Sequence, residues 1–327
     1  MTIRLNYQTK YTALFICLVL LTLLGLFVGT AGNNYKEIFS GLLNFDDSIA
    51  HTIVWDIRLP RVAVSMLAGG CLGLAGVLVQ LSTRSELGDP NLFGIGGGAA
   101  IFLASVYAGI VSCPDLVVWI GCLASSVLIG WILCCIISSP DVSPIKFVIM
   151  GIAVGALTVS IGISIVSYGR VFPIQLIGLV AGSFTSSNWN IFWYLLITLG
   201  VGITGAKFLS KSFYPVMLGD VLSKSLGVDP IRNRYLTMSL VGVLTGASVY
   251  AAGIIGFVGL IAPHMSRKLL GNSLSHLFFG STILGALVTL GSDQISRLLF
   301  APTEFPVGMT TTIVGAPLII YLALKMK

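Results

Sequence analysis

Charge is scarce in this chain. Only 9% of its 327 residues are Asp, Glu, Lys or Arg, against roughly 25% in a soluble domain. With 56% hydrophobic residues and a mean hydropathy of +0.99, that scarcity excludes a soluble globular fold and points to a polytopic membrane protein. Signatures of chemistry are missing too. No Gly-x-x-x-x-Gly-Lys-Ser/Thr loop and no Gly-Lys dipeptide occurs, so the chain has no phosphate loop of its own. His-Glu-x-x-His is absent, and His51, His264 and His276 are too scattered for a metal site. The cysteines, Cys17, Cys71, Cys113, Cys122, Cys134 and Cys135, lie in or beside apolar runs without Cys-x-x-Cys spacing. That argues against a disulfide framework or a zinc site, and for small apolar packing residues. Gly94-Ile95-Gly96-Gly97-Gly98-Ala99 mimics a dinucleotide fingerprint, but it follows Asp89-Pro90 at the start of an apolar span rather than a soluble strand. No catalytic, cofactor-binding or metal-binding residue is assigned, which argues against an enzyme. The net charge of +6 does not call for nucleic acid, because basic residues at cytoplasmic span ends produce it unaided. Carboxylates deep in the apolar runs are nearly missing. An ion-coupled carrier needs ionisable groups near the midplane, so the energy source is expected in another subunit. An ion-coupled secondary transporter is the more remote alternative.

What lies between the charges is apolar. Uncharged runs occur at 11–35, 62–83, 90–114, 116–140, 147–169, 171–206, 235–266, 269–292 and 305–324, and about 20 residues suffice to cross a bilayer. The run 235–266 is interrupted by Gly253, Gly256, Gly259 and Pro263, so it can form two short spans. The run 171–206 opens on Phe172-Pro173 and has a polar break from Ser183 to Asn190, which predicts a short interfacial helix followed by one span. The first apolar stretch follows Arg4 and Lys10 as a signal peptide would, but it is long enough to span, which favours an uncleaved first helix. Basic residues at both termini (Arg4 and Lys10; Lys325 and Lys327) place both ends in the cytoplasm, which needs an even number of spans. Ten fits: about 11–31, 60–81, 91–110, 116–137, 146–167, 189–209, 234–252, 255–269, 275–297 and 306–324, with an outer helix about 172–182. The chain is then a single all-α transmembrane domain over 1–327. Of the 18 Lys and Arg, 13 fall inside and five outside: Lys36, Arg58, Arg61, Arg170 and Arg297.

Arg58 and Arg61, in Arg58-Leu59-Pro60-Arg61, thus stand against the usual bias, and an acidic partner outside the cell would explain them. Asp293 and Arg297 are four apart at one span end and should pair along the helix. Gly69-x-x-x-Gly73 and Gly242-x-x-x-Gly246 offer small faces for close helix contact. A faint internal echo exists: Arg58 and Arg61 precede one glycine-rich span from outside, and Arg232 and Arg234 precede another from inside, as in an inverted repeat. The longest cytoplasmic connection, Lys207 to Arg234, has an amphipathic centre in which Asp220 can cap a short helix and Gly227 can end it, with a second helix from Pro230. One lysine and no aromatic on that helix favour a seat in a partner's groove over the membrane surface.

With those residues in view, the chain resembles the FecCD-type permeases of bacterial ABC importers for iron chelates, haem and cobalamin. The matching stretches are Arg58-Leu59-Pro60-Arg61, Gly88-Asp89-Pro90-Asn91-Leu92-Phe93-Gly94, Leu218-Gly219-Asp220 through Leu226-Gly227-Val228, Gly253 through Pro263-His264-Met265-Ser266-Arg267, and Glu304-Phe305-Pro306-Val307-Gly308 with Gly315-Ala316-Pro317. Together they cover nearly the whole chain. The resemblance implies a type II ABC importer permease of ten spans in the bacterial inner membrane. It implies a second permease subunit, in a homo- or heterodimer, two cytoplasmic ATPases that bind ATP-Mg, and a periplasmic or lipid-anchored substrate-binding protein. It implies that Arg58, Arg61 and Arg297 receive acidic residues of the binding protein. The coupling helices, about 214–231, would engage the ATPase through Leu218, Gly219, Asp220, Leu222, Ser223, Leu226 and Gly227. The span 145–167 would line the pathway, where Thr158, Ser160, Ser164 and Ser167 offer hydroxyls without fixed charge. An iron(III)-siderophore complex is the expected cargo, with haem or cobalamin as alternatives. The chain departs from the family at Ser82-Thr83-Arg84-Ser85-Glu86-Leu87-Gly88, where an Arg/Lys-Asn-Pro-Leu-Ala pattern is usual.

Overall fold

The computed structural model describes residues 7–27, 41, 49–137, 144–169, 173–299 and 303–325, and all regular structure among them is helical. Arg4, Lys36, Arg170 and Lys327, four of the charges used to orient the chain, lie outside the described residues, as do residues 28–31 of the first expected span. The helices are α1 (Tyr7–Phe27), α2 (Leu59–Thr83), α3 (Ile95–Tyr107), α4 (Asp115–Ile137), α5 (Pro144–Tyr168), α6 (Pro173–Ala181), α7 (Trp189–Met217), α8 (Asp220–Ser225), α9 (Pro230–Ala252), α10 (Val258–Leu270), α11 (Leu274–Leu299) and α12 (Val307–Lys325). Seven helices among the described residues are long and apolar enough to cross a membrane. The predicted separation of α6 from α7 is observed, and so is the break between α9 and α10.

The core is built around α2. It joins the preceding helical turns in one rod, Ile49–Thr83, whose most apolar window is 89% buried, whereas that of α1 is 11% buried. Lipid-facing helices need not bury their apolar side chains, so this contrast separates the central helix from the rim. Glycine allows the centre to be that crowded. A Cβ on Gly69 or Gly73 would run into the Gly285 or Ser281 carbonyl of α11, and one on Gly76 into Gly259 of α10. Gly242 and Gly246 of α9 pack in the same way, 2.6 Å from Val127 and Cys122 of α4 by the same measure. Both small faces expected from the sequence are therefore used.

Two short helices break the pattern. At 13 residues each, α3 and α10 reach only about 20 Å. Each is preceded by irregular backbone that is buried in protein: Asp89, Phe93 and Ile255 are at most 1% exposed. Non-helical backbone is tolerated at membrane depth only when buried in this way. Each short helix also starts from a left-handed residue, Gly94 (φ +77°) and Phe257 (φ +69°). Such a φ costs a phenylalanine about 1–3 kcal/mol, which the surrounding packing must hold. The order long, short, long, long thus occurs twice, in α2–α5 and α9–α12. The two sets interlock: α2 lies along α11, and α9 lies along α4.

Candidate functional site

Three arginines meet at one end of the bundle. The rod is π-wound over Ile53–Arg58, where the Leu59 amide donates to the Val54 carbonyl. Pro60 lacks the amide an α-turn would need here and its ring would crowd the preceding carbonyl, so the wider turn relieves both problems. Arg61 Nη2 lies 2.8 Å from Asp293 Oδ1, and its Nη1 lies 2.8 Å from Glu304 Oε1. Arg297 Nη2 lies 3.0 Å from Asp293 Oδ2, the pairing expected four residues apart. Arg58 Nη1 donates to the Leu26 carbonyl at 2.8 Å, and Gln294 Nε2 donates to the Leu21 carbonyl at 2.5 Å. Arg58 and Arg297, which reaches the Gly25 carbonyl at 3.5 Å, thereby tie C-terminal carbonyls of α1 that have no intrahelical partner to the rod and to α11, and Gln294 adds a contact one turn earlier.

This corrects the expectation of three exposed cations. Arg58, Arg61 and Arg297 are 5%, 7% and 4% exposed. Their acids and carbonyls are supplied from within the chain, and at that burial an unpaired guanidinium would be costly. Asp293 is fully buried, and Glu304 is the cluster's outermost acid, with 26% of its side chain exposed. Sequence reasoning missed Glu304 as the partner of Arg61 because 243 positions separate them. Beside Glu304 a cavity of about 520 Å³ opens, lined also by Asp115, Tyr107, Tyr250 and Asn188.

The opposite end carries α8. Its apolar residues are turned outward: Leu218 is 62% exposed, Val221 84%, Leu222 53% and Leu226 60%. Val221 and Leu222 on the helix, with Leu218 and Leu226 just beyond its ends, make a patch that wants a cover. Ser223 is buried and its hydroxyl donates to the Val228 carbonyl at 3.1 Å. Gly219 (φ +115°) and Gly227 (φ +79°) flank the helix in conformations that favour glycine. The expected capping role of Asp220 is corrected. Gly219 occupies the N-cap, and the Asp220 carboxylate instead bridges Arg84 Nη2 at 2.6 Å and Arg234 Nη2 at 2.8 Å. Burial pushes this carboxyl up, but the hydrogen bonds and charges of Arg84 and Arg234 outweigh it and hold it below the ordinary carboxylate range. Arg84 also donates to the Val216 carbonyl from Nε at 3.0 Å. The atypical 82–88 loop therefore clamps α8 from one side and α9 clamps it from the other. Asp229, not foreseen as a cap, accepts from the Ile231 amide at 3.0 Å and starts α9.

The same loop holds a buried carboxylate that sequence reasoning passed over. Asp89 Oδ1 accepts from the Asn91 and Leu92 amides at 2.9 and 3.0 Å. Its Oδ2 is turned toward Gly259 at the start of α10. Asn91 Nδ2 donates to the Ile255 carbonyl at 2.6 Å. Asp89 thus caps the turn that leads into α3. The motif Gly88-Asp89-Pro90 was the available signal.

Of the four hydroxyls assigned to a pathway, Ser160, Ser164 and Ser167 share an exposed face of α5. Thr158 does not belong with them. It is 3% exposed, and its Oγ1 donates to the Gly155 carbonyl at 3.0 Å against the glycines of α3. All six cysteines are free thiols, and no metal-ligand cluster occurs among the described residues.

Comparison with known proteins places this geometry. The model of the FecCD transport family matches residues 17–325. The iron(3+)-hydroxamate import system permease protein FhuB of Bacillus subtilis (strain 168) is 33% identical over 318 residues, covering 94% of this chain and 81% of that protein. The Fe(3+)-citrate import system permease protein YfmD of the same organism is 32% identical, covering 92% and 90%. The vitamin B12 import system permease protein BtuC of Vibrio parahaemolyticus is 29% identical, covering 98% and 95%. A solved structure described as an inward-facing ABC transporter of metal-chelate type superposes with a TM-score of 0.77 at 25% identity, covering 98% of this chain and all of that one. With its helices, its arginine cluster and its clamped short helix, the chain belongs to the FecCD transport family of membrane permeases.

Proposed function

We propose that this chain is the permease subunit of an ATP-driven importer that carries iron(III)-siderophore complexes across a bacterial inner membrane. Family membership over residues 17–325 carries the reading, with relatives named for iron(3+)-hydroxamate and Fe(3+)-citrate import. The chain crosses ten times, with both termini in the cytoplasm. It works as a dimer with a second permease subunit, two ATPases that bind ATP-Mg, and a substrate-binding protein outside.

The exposed apolar helix α8 seats on the ATPase through Leu218, Leu222 and Leu226. The Arg84–Asp220–Arg234 clamp passes its movement to the bundle. Ser160, Ser164 and Ser167 face the pathway, and Thr158 holds α5 against α3. Arg58, Arg61 and Arg297 receive the binding protein, with one change from the simplest picture: Glu304 covers Arg61 and must yield it to the partner's carboxylate. Glu304→Gln should then strengthen docking in a binding-protein pull-down and leave assembly intact. Docking that is unchanged removes the arginines from this role.

A deletion strain supplied with single iron sources tests the cargo. The intact gene should restore growth on one ferric siderophore. Restoration of cobalamin-dependent growth alone would favour the second reading, which the B12-permease relatives support.

A further inference from the structure

The α8 end of the bundle holds a cleft of about 660 Å³ that none of these roles uses. The ends of α2, α7, α10 and α11 enclose it. Its walls include Leu81, Leu274 and Leu277, and its charged residues are Arg84, Glu86, Arg267 and Lys268. Two buried polar atoms of lining residues have no hydrogen-bond partner among the described residues: Nη1 of Arg267 and Oε1 of Gln80. The Gln80 amide nitrogen donates to the Gly88 carbonyl at 3.2 Å, which leaves its oxygen free to accept. An open donor and an open acceptor beside one cleft are groups that ordered water or a bound molecule completes.

Charge narrows the choice. Arg84 is paired with Asp220. Glu86 is then the one acid lining the cleft against Arg267 and Lys268, so one positive charge remains over. Apolar walls beneath a cationic rim, at the level where long apolar helices end, fit an amphiphile with a singly charged head.

We propose that this cleft binds the phosphodiester headgroup of an anionic phospholipid, with the phosphate on Arg267 and Lys268. Phosphatidylglycerol has that chemistry; inorganic phosphate shares the anion but not the apolar body.

The test is native mass spectrometry of the full-length protein in neutral detergent, titrated with phosphatidylglycerol, phosphatidylcholine or inorganic phosphate. The expected result is one phosphatidylglycerol bound in preference to phosphatidylcholine. Removing both cations in Arg267→Gln with Lys268→Gln should weaken it about 30-fold. Arg267→Lys, which keeps the charge, should retain most of the binding and the wild-type thermal midpoint, separating ligand loss from misfolding. Lipid binding unchanged in the double variant, or no preference over phosphatidylcholine, overturns the proposal. Displacement of the lipid by inorganic phosphate overturns the lipid and leaves a free-anion site. Loss of ATPase co-purification in the double variant with lipid binding intact makes the cleft a protein contact instead.

Discussion

Asp293 is the residue on which the arginine end depends. It is fully buried and answers both Arg61 and Arg297. Asp293→Ala leaves two buried guanidiniums short of a partner and should destabilise the protein by about 3–5 kcal/mol, read as a lower thermal midpoint in detergent. Glu304→Gln, at the rim, should shift that midpoint far less. At the other end, the Asp220 carboxyl lies below its unfolded value because Arg84 and Arg234 hold it charged. Its contribution is therefore present above the unfolded pKa of about 4 and is lost as pH falls through the lower folded value. Hydrogen exchange of the 219–228 amides, corrected for intrinsic rate, should be flat from about pH 8 to 5 and rise only below about 4. The pairing of Asp293 with Arg297 was legible because it is local. The burial of Arg61 was not, because its acids lie 232 and 243 positions away.

Helix α8 illustrates what an element can and cannot reveal in advance. Its length, its end at Gly227 and its outward apolar residues follow from local spacing. The work of Asp220 does not, since Arg84 is 136 positions distant. Replacing residues 220–227 by a Gly/Ser linker should release the ATPase while the permease still folds. Co-purification at normal stoichiometry would contradict the coupling role. The same contrast holds for α10. Gly253 and Gly256 announced the break before it, whereas Gly259 and Pro263, read as part of that break, lie inside the helix. Asp89→Ala strips the Asn91 and Leu92 amides of their acceptor and should cost about 1–3 kcal/mol. The loss should appear as faster hydrogen exchange at the Asn91 and Leu92 amides.

At the scale of the whole molecule, the two four-helix sets explain why single glycines matter. Gly73→Val has no room beside the Ser281 carbonyl. Overpacking at a backbone contact should cost at least about 1–3 kcal/mol. Gly246→Val should act alike at the Cys122 carbonyl, 2.6 Å from the added Cβ. The all-helical membrane fold and both packing faces were legible from charge scarcity and glycine spacing. The interlocking was not, because a sequence records which faces are small but not which helix will fill them.

That interlocking sets a timetable for biogenesis. Gly285 lies 216 positions after Gly69, which at ribosomal speed is about 10–40 s of further synthesis. For that interval α2, the most buried helix of the finished protein, must wait in the bilayer with its small-residue face unmet. A nascent chain stalled before α11 therefore presents its future centre to lipid, and to any membrane protease that surveys unpaired helices.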